Sequence, residues 1–222
     1  QRQMCIRDRD RAGIAGEDGP THHGALDIAY MRSIQGMIVS APKNGNELRK
    51  LLYTALGVND HPFSIRYPKT SSIDFEENGQ IELIPIGSWV IEKKGNDVLI
   101  LAVGPMVYTA LESVKKDTLS DYDIEIVNCR FIKPMDIAYL EKIKEKFSII
   151  ITIEEGTKIG GFGDGVASWL LENDYKGKFK KIGLPDNFVE HGSRNQILEM
   201  LGLDSKGIAN QLQKFLNKEK VK

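Results

Sequence analysis

The sequence is poor in features that would assign it at a glance. Its 222 residues include two cysteines, Cys5 and Cys129, too few and too far apart for a disulfide framework or a metal knuckle. Each reads as an unpaired thiol in a reducing compartment. Long apolar runs are missing: Val98 to Val103 falls far short of the roughly 18 residues of a membrane span, and no signal-peptide pattern opens the chain. Neither charge is in excess. Lys+Arg number 30 against 31 Asp+Glu, and the balance holds on both sides of Pro85, which excludes the basic footprint of a nucleic-acid or anionic-membrane partner. A soluble, cytoplasmic protein is expected. Internal repeats, low-complexity tracts, and Walker or dinucleotide-binding spacings are also lacking.

What is present alternates strands with helices. Gln1 to Asp10 is polar and Arg-rich with no apolar period, so it is expected not to pack and to carry no function. Gly13, Gly16, Gly19, Pro20 and Gly24 then punctuate a loop. Beyond it the pattern predicts a helix over 25–34, a strand over 37–41, an amphipathic helix over 46–56 and a strand over 63–67. Residues 70–85 lack periodicity and read as a linker. After it, strands over 97–103, 124–128, 148–153 and 179–182 alternate with helices over 106–116, 136–146, 165–173, 193–201 and 205–216. Continuous apolar runs of this kind imply an α/β fold with a mostly parallel sheet covered on both faces. Ser193 with Gln196 forms a capping-box pattern that marks one helix start.

Three groups could carry chemistry. In the loop, Asp18, His22 and His23 lie in a turn held open by Gly and Pro, suited to proton transfer on a small substrate or simply to a solvated turn; two adjacent histidines without a third ligand make a poor zinc site. Arg66 and Lys69 end a strand and Arg11 precedes the loop, either as an anion-binding set or as ordinary surface charge. The glycine-rich segment Glu154 to Gly165 could cradle a phosphate at a helix N-terminus, or its glycines could serve close packing.

The stretch RAGIAGEDGPTHHGALDIAYMRSI, from Arg11 to Ile34, resembles the signature of 1-deoxy-D-xylulose-5-phosphate synthases within the transketolase superfamily. The likeness continues in order through APKNGNELRKLLYTAL, FSIRYPK, IPIGSW, NCRFIKPMD, ITIEEG, GGFG and IGLPDNFVEHGS, to about Leu216. It implies a non-family opening over 1–10, the C-terminal portion of a pyrimidine-binding domain over 11–85 and a transketolase C-terminal domain over 86–222. It also implies thiamine diphosphate and Mg2+ as cofactors, pyruvate and D-glyceraldehyde 3-phosphate as substrates, and a homodimer at full length. The product, 1-deoxy-D-xylulose 5-phosphate, would feed isoprenoid, thiamine and pyridoxal synthesis. By the same resemblance, His22 matches an active-site histidine that assists proton transfer, and Asp18 an aspartate that binds the acceptor's hydroxyl. Arg11 matches an arginine on the acceptor phosphate. Lys69 stands where the family has a second arginine, keeping the charge but not the bidentate fork. Arg66 and His23 are expected to support these residues. The family's GDG…N metal and diphosphate motif and its aminopyrimidine-activating glutamate have no match here, and GGFGDG lacks the trailing Asn. The expectation is therefore a fragment with the acceptor side of a site. The alternatives are a subunit of a split transketolase, a 2-oxo-acid dehydrogenase β-like protein, or a non-catalytic assembly module.

Overall fold

The computed structural model describes residues 6–72, 75–77 and 79–220, with the side chains of 219 and 220 left aside. Two sheets organise it. The first contains β1 (Ile6–Arg9), β2 (Ile38–Ser40), β3 (Phe63–Arg66) and β7 (Phe131–Lys133) in the order β1-β3-β2-β7, with β7 antiparallel to β2 and the rest parallel. The second holds β4 (Val90–Lys93), β5 (Val98–Ala102), β6 (Ile124–Asn128), β8 (Ile149–Thr157) and β9 (Lys178–Leu184) in the order β4-β6-β5-β8-β9. Only β4 runs antiparallel to its neighbour. Helices α1 (Asp27–Ser33), α2 (Gly45–Leu56), α3 (Met106–Ser113), α4 (Ile137–Lys146), α5 (Phe162–Glu172), α6 (Arg194–Met200) and α7 (Ser205–Lys220) fall between and after these strands.

The alternation of β5 shows why the second sheet is buried twice. Val98, Ile100 and Ala102 face α3, α6 and α7, whereas Leu99, Leu101 and Val103 face α4 and α5. Ile28 and Met31 of α1 and Val39 of β2 join that second layer, so the first sheet's helix packs on the second sheet's face. A third cluster lies under α2, built from Ile38, Leu51, Phe63, Ile65 and Phe131. Each such side chain contributes about 1.5–3 kcal/mol by leaving water. Residues 70–85, expected as a linker, hold no helix or strand among those described, yet they are strapped to α2. Arg49 donates to the carbonyls of Glu77 and Gly79, and Thr54 Oγ1 accepts from Ile84 N.

The structure corrects one expectation outright. Residues 6–9 are not frayed: β1 pairs in parallel with β3, with Arg9 opposite Arg66. Only Ile6 in this strand is apolar, and it packs against the cluster under α2. An edge strand needs one buried position and gains from charges on its open side, so its polarity hid it. Cys5 lies outside the described residues; Cys129 is free and buried. No helix among the described residues is long and apolar enough to cross a membrane.

Helix α5 starts three residues earlier than its sequence pattern suggested, for a reason set by β8. Glu154 turns its carboxylate onto the helix start, where its oxygens accept from Phe162 N at 2.9 Å and Gly163 N at 2.8 Å. These are two of the amides a helix leaves unpaired. Arg32 of α1 holds the carbonyls of Gly160 and Gly161, both at 2.6 Å. A side chain at Gly161 would collide with Glu154 and with the Thr157 carbonyl. At α6, Ser193 caps Gln196 N as expected, but its hydroxyl donates to Gln196 Oε1 in place of the reciprocal backbone bond.

Burial raises the Glu154 carboxyl from 4.5 to about 7 against the pull of the two amides. An acid whose folded pKa lies above its unfolded value favours folding below the unfolded value, and that contribution is lost as pH rises through about 7. Thermal melts between pH 5 and 8.5 should therefore show stability falling across neutrality, and Glu154→Gln should flatten that slope. An unchanged slope in the variant would refute this account.

Candidate functional site

The site follows from strand register. Since β1 and β3 are neighbouring parallel strands aligned at Arg9 and Arg66, the residues just beyond their carboxyl ends emerge side by side. Arg11 and Lys69 are those residues. Arg11 has φ of 57°, a left-handed backbone uncommon for a residue with a side chain. Neighbouring bonds fix it there: Ala12 N donates to the Tyr67 carbonyl, Gly24 N to the Arg11 carbonyl and Gly13 N to the Gly24 carbonyl, each at 3.0 Å. Gly24 has to lack a side chain, because a Cβ would sit 2.5 Å from the Arg11 carbonyl oxygen.

The loop then returns Asp18 to both cations through a short 3-10 turn, Gly16–Asp18. Arg11 Nε donates to Asp18 Oδ2 at 2.8 Å, and Lys69 Nζ donates to Oδ1 and Oδ2 at 2.8 and 3.0 Å. Asp10 takes a second bond from Arg11, at 2.5 Å. Hydrogen bonds from Lys69 and then Arg11 draw the Asp18 carboxyl down to about 2, so it stays ionised over any ordinary pH range. His22 is exposed at the tip of the loop, with Nδ1 3.1 Å from Thr21 Oγ1. It makes no hydrogen bond to Arg11, Asp18 or Lys69. The neighbouring His23 does different work: its Nδ1 accepts from Ala15 N at 2.9 Å and closes the loop. A neutral ring in that role carries its proton on Nε2, which is buried without a hydrogen-bond partner.

Arg66, expected to end the strand as an anion ligand or to support the residues around it, lies in the interior. Its Nε donates to Asp27 Oδ2 at 2.9 Å, and its Nη2 reaches the carbonyls of Gly24 and Glu155. It holds the ends of the loop without presenting charge outward. Two residues that sequence reasoning passed over complete this framework. Glu155 Oε1 accepts from Ile14 N at 2.7 Å, its Oε2 is paired with Arg194 Nη2, and Gly13 leaves room for it. Their signal was a pair of carboxylates following an apolar strand run without a break, and an arginine directly after a helix cap. Beside the cluster, Tyr67, Pro68, Thr70, Tyr108 and Arg194 help line a cavity of about 300 Å³ at the carboxyl ends of β2, β3 and β5, where parallel sheets collect ligands.

The glycine-rich segment does not fit a diphosphate or its metal. Glu154 occupies the α5 amides, and Asp164 is paired with Lys181 and accepts from Gly160 N. Among the described residues no group of three His, Cys, Asp or Glu could hold a metal ion. Among the described residues, this segment therefore offers no free helix-start amides or carboxylates for a diphosphate and its metal.

Comparison with known proteins gives concordant matches. The family described as "Transketolase, pyrimidine binding domain" matches residues 1–72, taking in the opening ten residues, and "Transketolase, C-terminal domain" matches residues 87–208. A 1-deoxy-D-xylulose-5-phosphate synthase of Parabacteroides distasonis is 38% identical over 214 residues, covering 95% of this chain and 33% of that protein. One from Aquifex aeolicus is 40% identical, over 90% of this chain and 31% of that protein. The chain spans about a third of the length of these curated relatives. Among solved structures, a split gene transketolase described as an inactive beta4 tetramer superposes with TM-score 0.78 at 26% identity, over 94% of this chain and 64% of that one. A Campylobacter jejuni transketolase shares the fold, with TM-score 0.69 at 16% identity over 94% of this chain and 31% of that one. With its parallel-strand site, its glycine-held loop and these matches along most of its length, the chain belongs to the transketolase family.

Proposed function

We propose that this chain forms the acceptor side of a thiamine-diphosphate-dependent transferase of the transketolase type, a 1-deoxy-D-xylulose-5-phosphate synthase. In this reading pyruvate is decarboxylated and its remaining two carbons join D-glyceraldehyde 3-phosphate. The supporting observation is the convergence of Arg11 and Lys69 on one point at the carboxyl ends of β1 and β3, with Arg11 in a strained backbone that its neighbours enforce. Two cations placed together suit the acceptor's phosphate. In this reading Asp18 accepts from an acceptor hydroxyl, and His22, exposed on the same loop, moves a proton as the new bond forms. The cofactor and its Mg2+ are held by residues other than those described here, in an assembly that pairs two copies.

A second reading, a subunit of a split transketolase-type enzyme, draws support from the superposition on a split gene transketolase. The two readings place the same residues in the same roles. They differ in whether the cofactor-binding portion comes on the same chain or on a partner.

Titration of the chain with D-glyceraldehyde 3-phosphate should give saturable binding that weakens about tenfold or more in Arg11→Ala, as expected for lost charge-assisted bonds. Lys69→Arg should tighten it a few-fold by restoring a bidentate fork. Binding indifferent to Arg11→Ala would overturn the assignment of the phosphate site. Supplied with a family cofactor-binding portion, fused or in trans, the chain should form 1-deoxy-D-xylulose 5-phosphate, and His22→Ala should lower kcat by about 100-fold or more. A His22→Ala enzyme of unchanged kcat would remove the histidine from the mechanism.

A further inference from the structure

Asp18 is in an unusual position for a group meant to bind a substrate hydroxyl. Three bonds use most of its acceptor capacity: Oδ2 accepts from Arg11 Nε and both oxygens accept from Lys69 Nζ. It has no other side-chain partner among the described residues, so the two cations alone hold it. The segment that carries it is a short 3-10 turn that lies against α6 and is bounded by glycines. Upstream, the loop is fastened as far as Ala15, through Ile14 N on Glu155 and Ala15 N on His23. Asp18 then sits between Gly16 and Gly19, with φ of 76° and 82°, residues that reorient with least steric cost.

We propose that Asp18 is the stand-in anion of the acceptor site, holding Arg11 and Lys69 together until a phosphate monoester takes its place, and that this exchange frees Asp18 to bind the acceptor's hydroxyl. The inference rests on the reading of Arg11 and Lys69 as the phosphate cradle and adds a source of selectivity to it. A phosphate brings more negative charge and more acceptor oxygens than a carboxylate, so it competes for both cations at once. An uncharged aldehyde cannot make that exchange. For such a compound Asp18 stays paired with both cations, so an unphosphorylated substrate loses the phosphate contacts and meets an Asp18 whose acceptor sites are mostly in use. With its carboxyl held at about 2 by Lys69 and Arg11, protonation does not release Asp18 near neutral pH. A rival anion is required.

The test compares two carboxylates that share Arg11. Asp10 also pairs with Arg11 but is more exposed and does not touch Lys69, so Asp10→Asn removes the same charge without removing the stand-in. Calorimetric titration of the full chain with inorganic phosphate at fixed ionic strength should show Asp18→Asn binding about three- to tenfold tighter than the parent, the scale of two relieved surface pairs. Asp10→Asn should change affinity by less than about twofold, on the same scale. Glycerol 3-phosphate, which adds hydroxyls, should gain less from Asp18→Asn than phosphate does, because a neutral amide oxygen is a weaker acceptor for its hydroxyl than the carboxylate. Asp18→Ser provides a second variant with the same expectation. Phosphate binding that weakens or stays constant in both Asp18 variants, or that tightens equally in Asp10→Asn, overturns the proposal. If Arg11→Ala abolishes phosphate binding while the Asp18 variants bind as the parent does, the cradle stands and the stand-in role falls. If phosphate binds no variant, or binds regardless of Arg11, both readings fall.

Discussion

The buried carboxylate of Glu155 is the contact on which the rest of the site depends. It leaves the end of β8, a strand in the middle of the second sheet, and accepts from the backbone of the loop that follows β1 in the first. Arg194 supplies its countercharge from the start of α6, and Arg66 covers its carbonyl. Burial pushes the Glu155 carboxyl upward, opposed first by Arg194 and then by the Ile14 amide. Removing one partner of such a buried pair typically costs about 3–5 kcal/mol, because the other charge is left unpaired. The adjacent Glu154 points to the opposite face, as strand alternation requires, and fastens α5. One dipeptide thus anchors a helix on one side of the sheet and the functional loop on the other.

From that anchor the placement of the outward-facing groups follows with little freedom. Arg66 and Asp27 form an interior pair beneath the loop, and the hydrogen bonds around Arg11 and Gly24 set the backbone above it. Holding a non-glycine residue at positive φ costs about 1–3 kcal/mol, and such strain persists only where the surroundings over-determine it. Here three backbone bonds and a required glycine do so. The chain spends that strain on the direction of one guanidinium. Parallel register between β1 and β3 supplies the other half of the geometry by delivering Lys69 alongside.

Much of this was legible in the sequence, and the illegible part has physical causes. The strong apolar runs that became β5, β6 and β8 were readable because both faces of those strands are buried, and helix α2 because its apolar stripe repeats cleanly. Strands β1, β4 and β7 were missed or dismissed. β1 and β4 lie at sheet edges, where few positions need to be apolar, and β7 is three residues long, too short to show a period although Phe131 and Ile132 are buried. Asp18, His22, Arg11 and Lys69 were reachable through family resemblance. What neither composition nor motif revealed was the distinction between the two cations at the end of β3. Arg66 is consumed internally by Asp27 while Lys69 faces out, a difference of strand parity and depth that appears only once the register is known. The reading of GGFGDG as packing glycines fits better than the phosphate alternative, because a carboxylate from the preceding strand already fills the helix start.

The sequence boundary near Pro85 separates neither the strands of the two sheets nor their packing. β7 comes from after that boundary and completes the first sheet against β2, while Ile28, Met31 and Val39 from before it lie in the core beneath the second sheet. The functional loop is therefore suspended at a seam. Its charges come from the residues before the boundary, and it is held by Arg66 and His23 from before it and by Glu155 and Arg194 from after it. Neither stretch has the site to itself: residues 6–72 without Glu155 and Arg194 would keep Arg11 and Lys69 at the strand ends but lose the fixing of Ile14. The similarity to transketolase-family proteins likewise runs across the boundary.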